Sequence, residues 1–415
     1  MTFLTVPYGG YLAREIPPED AELTHVGPGT PCGEYMRRFW QPVALSSELR
    51  DVPLRVRVLG EDLVLFRDGR GRVGLVQMRC PHRGTSLEYG LISARGLRCC
   101  YHGWLFDVDG AILETPGEPA TSTLRNRLCL GAYPTREYQG LVFAYLGPPE
   151  LRPELPIYDM YEWPGVRRVP IKTESPCNWL QIQDNSMDPV HTAFLHTIVS
   201  GAQFTDEFGV LPALEFRETP TGMIYIAVRR IGDNVWVRIN DFLVPNARQF
   251  PPESETGREV HANRPMAIKW AMPVDDTHTL SIGYLYVAAG QSADDDERSI
   301  AKKNVGQTAA RSYEERQRRP GDYDAQVGQR PIAIHALEHL GHTDRGVITL
   351  RRIVRGGIRA VRAGEDPRGL VRAAGPPLRT YSGDTVVRVP PAATPEADAE
   401  LLREVGRRVA AGHDR

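Results

Sequence analysis

Short stretches of alternating apolar and polar residues recur between residues 40 and 150. Val52–Leu59 alternates over most of its length, a turn at Gly60 ends it, and Leu63–Phe66 and Leu141–Leu146 carry similar apolar segments. A period of two is typical of strands, and glycine and aspartate between such segments are typical of turns. The pattern therefore predicts a small antiparallel sandwich of short strands.

A proline-rich stretch over 147–156 interrupts this pattern and predicts a domain boundary. Longer alternating segments follow it and predict an antiparallel sheet, and charged or amphipathic segments predict helices. The strand segments are Met223–Arg230, Val235–Ile239, Met266–Met272 and Leu280–Tyr286, and the helical ones are 293–317, 351–362 and 396–411. We predict an α+β chain with a segment 1–39 that packs on the catalytic domain, an all-β domain 40–156 and a larger domain 157–415.

Composition limits the kinds of partner that we expect. The 415 residues are 41% hydrophobic, enough for the cores of two domains. The net charge is −2, with 50 basic and 52 acidic residues and no basic block, so a nucleic-acid partner is not expected. No leader-like start and no apolar run of about 18 residues is seen, which predicts no membrane contact and a cytoplasmic location.

Two cysteine–histidine pairs carry the strongest chemical signal. Cys80 and His82 form a Cys-x-His, and Cys99 and His102 form a Cys-x-x-His after sixteen intervening residues. Two thiolates on one iron and two imidazoles on the other are the ligands of a Rieske [2Fe-2S] cluster. A Cys2His2 zinc site is the alternative, because zinc takes the same ligand types. The adjacent Cys100 is interpreted as a bystander, since only Cys99 completes the Cys-x-x-His pair.

A second group of polar residues follows the predicted boundary. Asn185, Asp188, His191 and His196 occur in the order Asn-x-x-Asp-x-x-His-x4-His. Two histidines and one carboxylate on one face of an iron form the facial triad of non-heme Fe(II) oxygenases. Five residues of α-helix would separate the two histidine rings by roughly 140°. A bulge or a helix end must therefore bring them together.

The chain resembles the Rieske non-heme iron oxygenases, specifically the oxygenase component of the phthalate-dioxygenase-like group. The matching motifs are Cys-Pro-His-Arg-Gly at 80–84, Cys-Cys-Tyr-His-Gly-Trp at 99–104, and the Asn-to-His string above. The family usually has proline where Cys100 stands. Thr85 occupies a position that is a cysteine in respiratory Rieske proteins, so their loop disulfide cannot form here.

This resemblance implies roles for individual residues. His191 and His196 would bind the mononuclear iron, and Asp188 would bridge His102 of one subunit to His191 of the next. Asn185 would lie near the iron without binding it. Two local alternatives remain for these polar side chains: Asp188 as a helix N-cap and Asn185 as a turn residue.

The resemblance also places the third iron ligand late in the chain. A family pattern of Asp-x3-Gln-x2-Gln-x-Pro-Ile aligns with Gln326, Gln329 and Pro331, which selects Asp322, with Asp324 as the alternative. Histidines at 335, 339 and 342 receive no ligand role. Arg238, Arg248 and His278 are candidates for contacts with a substrate carboxylate, or simply surface and sheet residues.

The predicted function is that of a terminal oxygenase. O2 would be the co-substrate, and a small, aromatic substrate would be hydroxylated or O-demethylated. No Gly-x-Gly-x-x-Gly follows a predicted strand, so NAD(P)H would act only through a separate reductase or ferredoxin. The family further implies a helix-grip catalytic domain and a homotrimer. The alternative function is a Rieske ferredoxin-like electron carrier without oxygenase activity.

Overall fold

A computed structural model gives the fold of the chain. It describes residues 4–13, 15–201, 203–252, 259–262, 265–290, 292, 294, 295, 298, 300 and 306–412. Within these residues no helix is both long and apolar enough to cross a membrane. Part of the predicted charged helix over 293–317 lies outside the described residues.

The first unit consists of three small antiparallel sheets. Their strand orders are β1-β11-β10, β2-β3-β4-β9 and β5-β6-β7-β8. The strands are β1 (Trp40–Leu45), β2 (Leu54–Val58), β3 (Glu61–Arg67), β4 (Val73–Gln77), β5 (Leu91–Ser93), β6 (Gly96–Arg98), β7 (Leu105–Phe106), β8 (Ile112–Glu114), β9 (Ala132–Tyr133), β10 (Thr135–Tyr138) and β11 (Leu141–Tyr145). Two short helices, α1 (Ala21–Thr24) and α2 (Pro31–Arg37), precede this unit, and α3 (Leu124–Arg127) lies within it.

Successive side chains of β3 point to opposite faces and pack into two different hydrophobic clusters. Leu63 and Leu65 join the large core shared with the rest of the chain, whereas Val64 and Phe66 point to a separate cluster. That second cluster also contains Cys80 and Cys99. The period-two pattern therefore places the two proposed thiolate ligands against a small hydrophobic core of their own.

The second unit is built on a nine-stranded antiparallel sheet. Its main order is β12-β19-β18-β16-β15-β14-β13, with β20 beside β15 and β17 beside β20. The strands are β12 (Val166–Ser175), β13 (Ala213–Thr219), β14 (Gly222–Ile231), β15 (Asn234–Leu243), β16 (Ala247–Phe250), β17 (Val260–Ala262), β18 (Ala267–Asp275), β19 (His278–Ala288) and β20 (Gly383–Arg388). Gly232 and Asp233 form the two-residue loop of the β14–β15 hairpin, and Gly232 has a positive φ of 57°.

The second unit also contains helices, some of which pack against the sheet. They are α4 (Trp179–Ser186), α5 (His191–Ala193), α6 (Tyr313–Arg318), α7 (Asp322–Val327), α8 (Arg345–Arg362) and α9 (Pro395–Gly412). Buried residues at 347, 350, 354, 358 and 361 give α8 one apolar side. Helix α9 packs Val405 against the cluster that contains Ile226 and Val228 of β14. The predicted α+β architecture, with an all-β first unit and an antiparallel sheet with helices in the second, is confirmed.

The N-terminal segment lies against α8 and α4. Tyr35 fills the space beside Gly357, where a Cβ atom would lie 2.3 Å from the Tyr35 ring. Arg355 of α8 forms ion pairs with Asp20 and Glu22. The first unit meets the large sheet through aromatic packing, including Phe143 against Trp270 with ring centroids 5.7 Å apart.

Candidate metal centres

Two loops of the first unit have matching backbone hydrogen bonds. The Gly84 N–H donates to Cys80 O at 2.8 Å, and the Gly103 N–H donates to Cys99 O at 3.0 Å. Both glycines have positive φ, at 77° and 73°. Each loop thus turns back after its cysteine in the same way, because glycine adopts this conformation without steric cost.

The loops bring their side chains together in pairs. Cys80 and Cys99 are both buried, and the Cys99 thiol lies close enough to Cys80 to raise the pKa of Cys80. The rings of His82 and His102 lie 4.4 Å apart, and His82 stacks on Trp104 at 4.8 Å. No three of the four side chains bring ligand atoms within 4.8 Å of one another. One tetrahedral zinc would require all four to converge, so the paired arrangement suits a two-iron cluster better.

Two backbone N–H groups beside Cys80 would stabilise a bound thiolate. Burial raises the pKa of its thiol to about 11, whereas the N–H groups of His82 and Arg83 act in the opposite direction by hydrogen bonding to the sulfur. A metal ligand must be deprotonated, so these N–H groups offset part of the burial cost. Cys100 is exposed, while Cys99 is buried beside Cys80. The structure therefore places Cys99 in the pair.

A second group of ligating side chains lies under the large sheet. Among the described residues, His191, His196 and Asp322 bring one ligand atom each within 4.8 Å of the others. The Nε2 atoms of the two histidines lie 3.6 Å and 3.4 Å from the two oxygens of Asp322. Both imidazoles and the carboxylate thus face one point, which fits a single divalent iron.

A π-helical turn explains how histidines five residues apart share one side. Residues Phe194–Ile198 form this turn directly after α5. The Val199 N–H donates to Phe194 O at 2.8 Å, which is an i to i+5 hydrogen bond. The rings of His191 and His196 consequently lie 5.2 Å apart. This turn supplies the bulge that the spacing requires.

The start of α7 separates the two candidate aspartates. Asp322 faces the histidines, and its carboxylate accepts hydrogen bonds from the Asn185 amide at 3.1 Å and from Gln307. Asp324 instead accepts the Gly321 N–H at 2.9 Å and pairs with two arginines of the preceding segment, Arg311 and Arg316. The structure therefore brings Asp322 to the histidines and holds Asp324 away from them.

Asp188 accepts backbone hydrogen bonds at the start of the helix that carries His191, whose N-cap residue is Val190. Its Oδ1 accepts the Val190 N–H at 2.9 Å and the His191 N–H at 3.4 Å, while Oδ2 lies 3.7 Å from His191 Nδ1. Burial raises the pKa of Asp188, but the His191 ring and these N–H groups outweigh burial, so the pKa lies below its ordinary value. Among the described residues no hydrogen bond or ion pair joins Asp188 to His102.

Gln203 was not predicted from the sequence. Its Oε1 atom lies 2.8 Å from His196 Nδ1, and its backbone N–H donates to His196 O at 2.9 Å. An amide oxygen accepts a hydrogen bond from the Nδ1–H group, which leaves Nε2 of His196 unprotonated toward Asp322. No motif marks this glutamine, since its contact depends on the loop that follows the π turn.

A cavity opens at the His191–His196–Asp322 group. It encloses about 1070 Å³ including its mouth. Its apolar walls include Phe204, Phe208 and Phe250, and Arg238 and Arg248 also line it. His278 does not line this cavity; it is exposed and lies 3.0 Å from Asp275.

Comparison with known proteins agrees with this arrangement. A Rieske [2Fe-2S] domain model matches residues 39–133. The chain is 42% identical over 430 residues to the tert-butanol monooxygenase / tert-amyl alcohol desaturase oxygenase subunit of Aquincola tertiaricarbonis, covering 97% of this chain and 90% of the relative. It is also 42% identical over 366 residues to the phenoxybenzoate dioxygenase subunit alpha of Ectopseudomonas oleovorans, covering 85% and 87%.

Solved structures give the same fold. NdmA of Pseudomonas putida CBB5 superposes with a TM-score of 0.64 at 23% identity, covering 85% of this chain and 100% of that one.

Proposed function

Because the chain belongs to the Rieske non-heme iron oxygenases and is the oxygenase subunit of a multicomponent system, we propose that it hydroxylates or O-demethylates a small aromatic substrate. It uses O2 and electrons supplied by a reductase, with a Rieske cluster and a mononuclear iron as cofactors. The observation that carries the proposal is the cavity, whose apolar aromatic walls end at His191, His196 and Asp322. A flat apolar substrate would bind against such walls.

The three side chains would hold the mononuclear iron. The bound iron supplies the activation of O2. Asn185 and Gln307 each hold the carboxylate of Asp322 by a hydrogen bond, so that its oxygens stay directed at the histidines. Such supporting contacts orient ligands and raise metal affinity. The phenylalanine walls would exclude water from the substrate.

Cys80, Cys99, His82 and His102 would hold the Rieske cluster at one end of the first unit. Exposed apolar side chains occur between and within the two ligand loops along the chain, namely Tyr89, Leu91 and Tyr101, which are 69%, 63% and 55% exposed. A second exposed apolar group lies on and beside the π turn, at Phe194, Ile198 and Val199. Exposed apolar groups of this kind are typical of interaction surfaces.

The proposed assembly is a ring of identical chains. Asp188 lacks any contact with His102 of its own chain among the described residues, and its carboxylate is partly exposed. In a head-to-tail ring, His102 of a second copy would reach Asp188, and one apolar group would cover the other. Heterologous contacts that close form cyclic oligomers. A homotrimer is our proposed stoichiometry.

Mixed oligomers test the assembly and the site together. His102→Ala and His191→Ala should each abolish product formation with a suitable reductase, and the second variant should keep its Rieske absorbance. Co-expressed at equal amounts, the two variants should recover about one quarter of wild-type activity, since each productive contact needs one intact copy of each kind. No recovery in confirmed mixed oligomers would refute the cross-subunit contact.

Metal content tests the enzyme against an electron carrier. An oxygenase should contain about three iron per chain, two in the cluster and one at the mononuclear site. An electron carrier would contain about two iron per chain, and His191→Ala would not change its function.

A further inference from the structure

The Trp104 indole covers one face of a proposed cluster ligand. It lies parallel to the His82 imidazole, with ring centroids 4.8 Å apart and an interplanar angle of 3°. The His102 ring meets His82 differently, edge to face at 4.4 Å and 73°. Trp104 is 3% exposed, so the stack keeps water away from the face of the imidazole that it covers.

The fold holds the indole in this position. The carbonyl of Trp104 accepts the Cys99 N–H at 2.8 Å. Its side chain belongs to the small hydrophobic cluster that also contains Cys80 and Cys99. Because protein interiors are close-packed, an indole held at its backbone and within this cluster has little freedom to turn away from His82.

The second histidine has a different aromatic neighbour. Tyr101 lies beside His102 with ring centroids 3.9 Å apart, tilted by 49°. Tyr101 is 55% exposed, and the Arg83 guanidinium lies over its ring at 5.4 Å. Water and this cation screen the electron-rich face of the tyrosine. The parallel, buried aromatic contact is therefore the one on His82.

Such a contact acts on the charge of a bound cluster. A Rieske cluster that accepts one electron gains one negative charge, and its net charge and solvent exposure help to set its reduction potential. An aromatic ring carries negative charge on its face, and in a parallel stack this face points at the imidazole. Burial also removes water that would stabilise the added charge. Both effects disfavour the reduced state.

We propose that Trp104 lowers the reduction potential of the Rieske cluster through its stack on His82. The inference rests on the proposed function, in which His82 is a cluster ligand. One electron enters from the reductase and the same electron leaves to the mononuclear iron of a second copy, so Trp104 is neither oxidised nor reduced. A lower potential makes the cluster a stronger electron donor toward the mononuclear iron.

Redox titration of the holoenzyme tests this role. The midpoint potential would be measured with mediators, and the visible absorbance of the cluster would report its reduction. Trp104→Leu removes the ring and should favour the reduced state roughly two- to tenfold, the size expected for one aromatic contact, which corresponds to a rise of roughly 20–60 mV. Trp104→Phe keeps a smaller aromatic face and should raise the potential by less.

A matched variant separates this effect from loosening of the core. Phe106 belongs to the same hydrophobic cluster, and among the described residues its ring contacts neither histidine. Phe106→Leu should lower thermal stability and keep the wild-type potential. An unchanged or lower potential in Trp104→Leu with a full cluster would overturn the proposal. An equal rise in Phe106→Leu would overturn it as well.

Fluorinated tryptophan gives a second measurement that keeps the shape of the side chain. Incorporating 5-fluorotryptophan at all six tryptophans weakens the negative face of the indole and should raise the potential. The same incorporation into Trp104→Phe should leave the potential of that variant unchanged. If Trp104→Leu does not hold a cluster, this comparison decides, and equal potentials with and without fluorine would then overturn the proposal.

Oxygen consumption distinguishes the two proposals. A potential that depends on Trp104, in a protein that consumes no O2 with any aromatic compound, would overturn the proposed reaction and leave this inference intact. Product formation by the wild type, with equal potentials in the wild type and Trp104→Leu, would overturn this inference and leave the oxygenase intact.

Discussion

Replacing Gln203 should weaken mononuclear iron binding without disturbing the Rieske cluster. Gln203 Oε1 is the hydrogen-bond partner of His196 Nδ1, at 2.8 Å, and the His196 side chain is 4% exposed. Gln203→Leu keeps much of the side-chain volume but removes the acceptor. The Nδ1–H group would then be buried without a partner, and the ring would be free to take the other tautomer, which protonates the nitrogen that faces Asp322.

The magnitude follows from this single contact. A neutral hydrogen bond contributes about 1 kcal/mol, and an unpaired buried donor costs about 1–3 kcal/mol. A loss of about 2 kcal/mol corresponds to a roughly 30-fold weaker iron affinity. This lies within the roughly 10- to 100-fold loss found when supporting contacts of metal ligands are removed. Gln203→Glu keeps an acceptor at this position and should retain iron more tightly than Gln203→Leu.

Iron titration measures the effect. Protein depleted at the mononuclear site would be titrated with Fe(II) against a competing chelator, and visible absorbance would report the cluster as an internal control. The leucine variant should hold about two iron per chain at chelator concentrations at which the wild type holds about three. Unchanged Fe(II) affinity in a leucine variant with a full cluster would refute the role of Gln203.

Three further changes test other parts of the structure. Asp188→Asn keeps the side-chain oxygen that accepts the Val190 and His191 N–H groups, so iron content and thermal stability should hold while product formation falls to background; loss of the mononuclear iron would instead make Asp188 a ligand. Arg351→Met leaves the buried carboxylate of Asp184 and the half-buried carboxylate of Glu338 unpaired and should lower the free energy of unfolding by about 3–5 kcal/mol in urea titrations, whereas Arg352→Met, at a 64% exposed site, should change it by less than about 1 kcal/mol. Burial raises the pKa of Asp241 well above its usual range, so its stabilising contribution is present below the unfolded pKa of about 3.9 and is lost as pH rises through the folded pKa. Asp241→Asn should therefore gain stability relative to wild type as pH rises over that window, and parallel pH–stability curves would contradict this.

Local motifs made the first centre readable from sequence. Each Rieske loop contains its cysteine, its histidine and the glycine that turns it, so a few residues specify one half of the site. The loops then meet because β6 pairs with both β5 and β7. The sequence could not show that Cys99 is buried and Cys100 exposed, since adjacent residues differ only in the direction that the loop gives them.

Contacts between residues far apart in the chain could not be predicted from short sequence motifs. Gln307 reaches Asp322 although α6 lies between them in the chain, and Arg248 lines the cavity from β16, where it pairs with Lys269 of β18. Neither residue belongs to a spaced motif. Arg248 was weighed as a sheet residue or as a substrate contact, and the structure shows that these are compatible: it is a sheet residue whose side chain lines the cavity.

The spacing of His191 and His196 pointed to a metal site, although it did not fit an ordinary α-helix. An ideal α-helix would separate His191 and His196 by roughly 140°, yet both face Asp322 within 3.6 Å. A His-x3-His pair would share a face in an ordinary helix, and the pair here has one additional residue between its histidines. The i to i+5 bond of the π turn accommodates the extra residue. Since π turns are rare and occur frequently at functional sites, the poor fit of the spacing to an α-helix was itself a local signal for the metal centre.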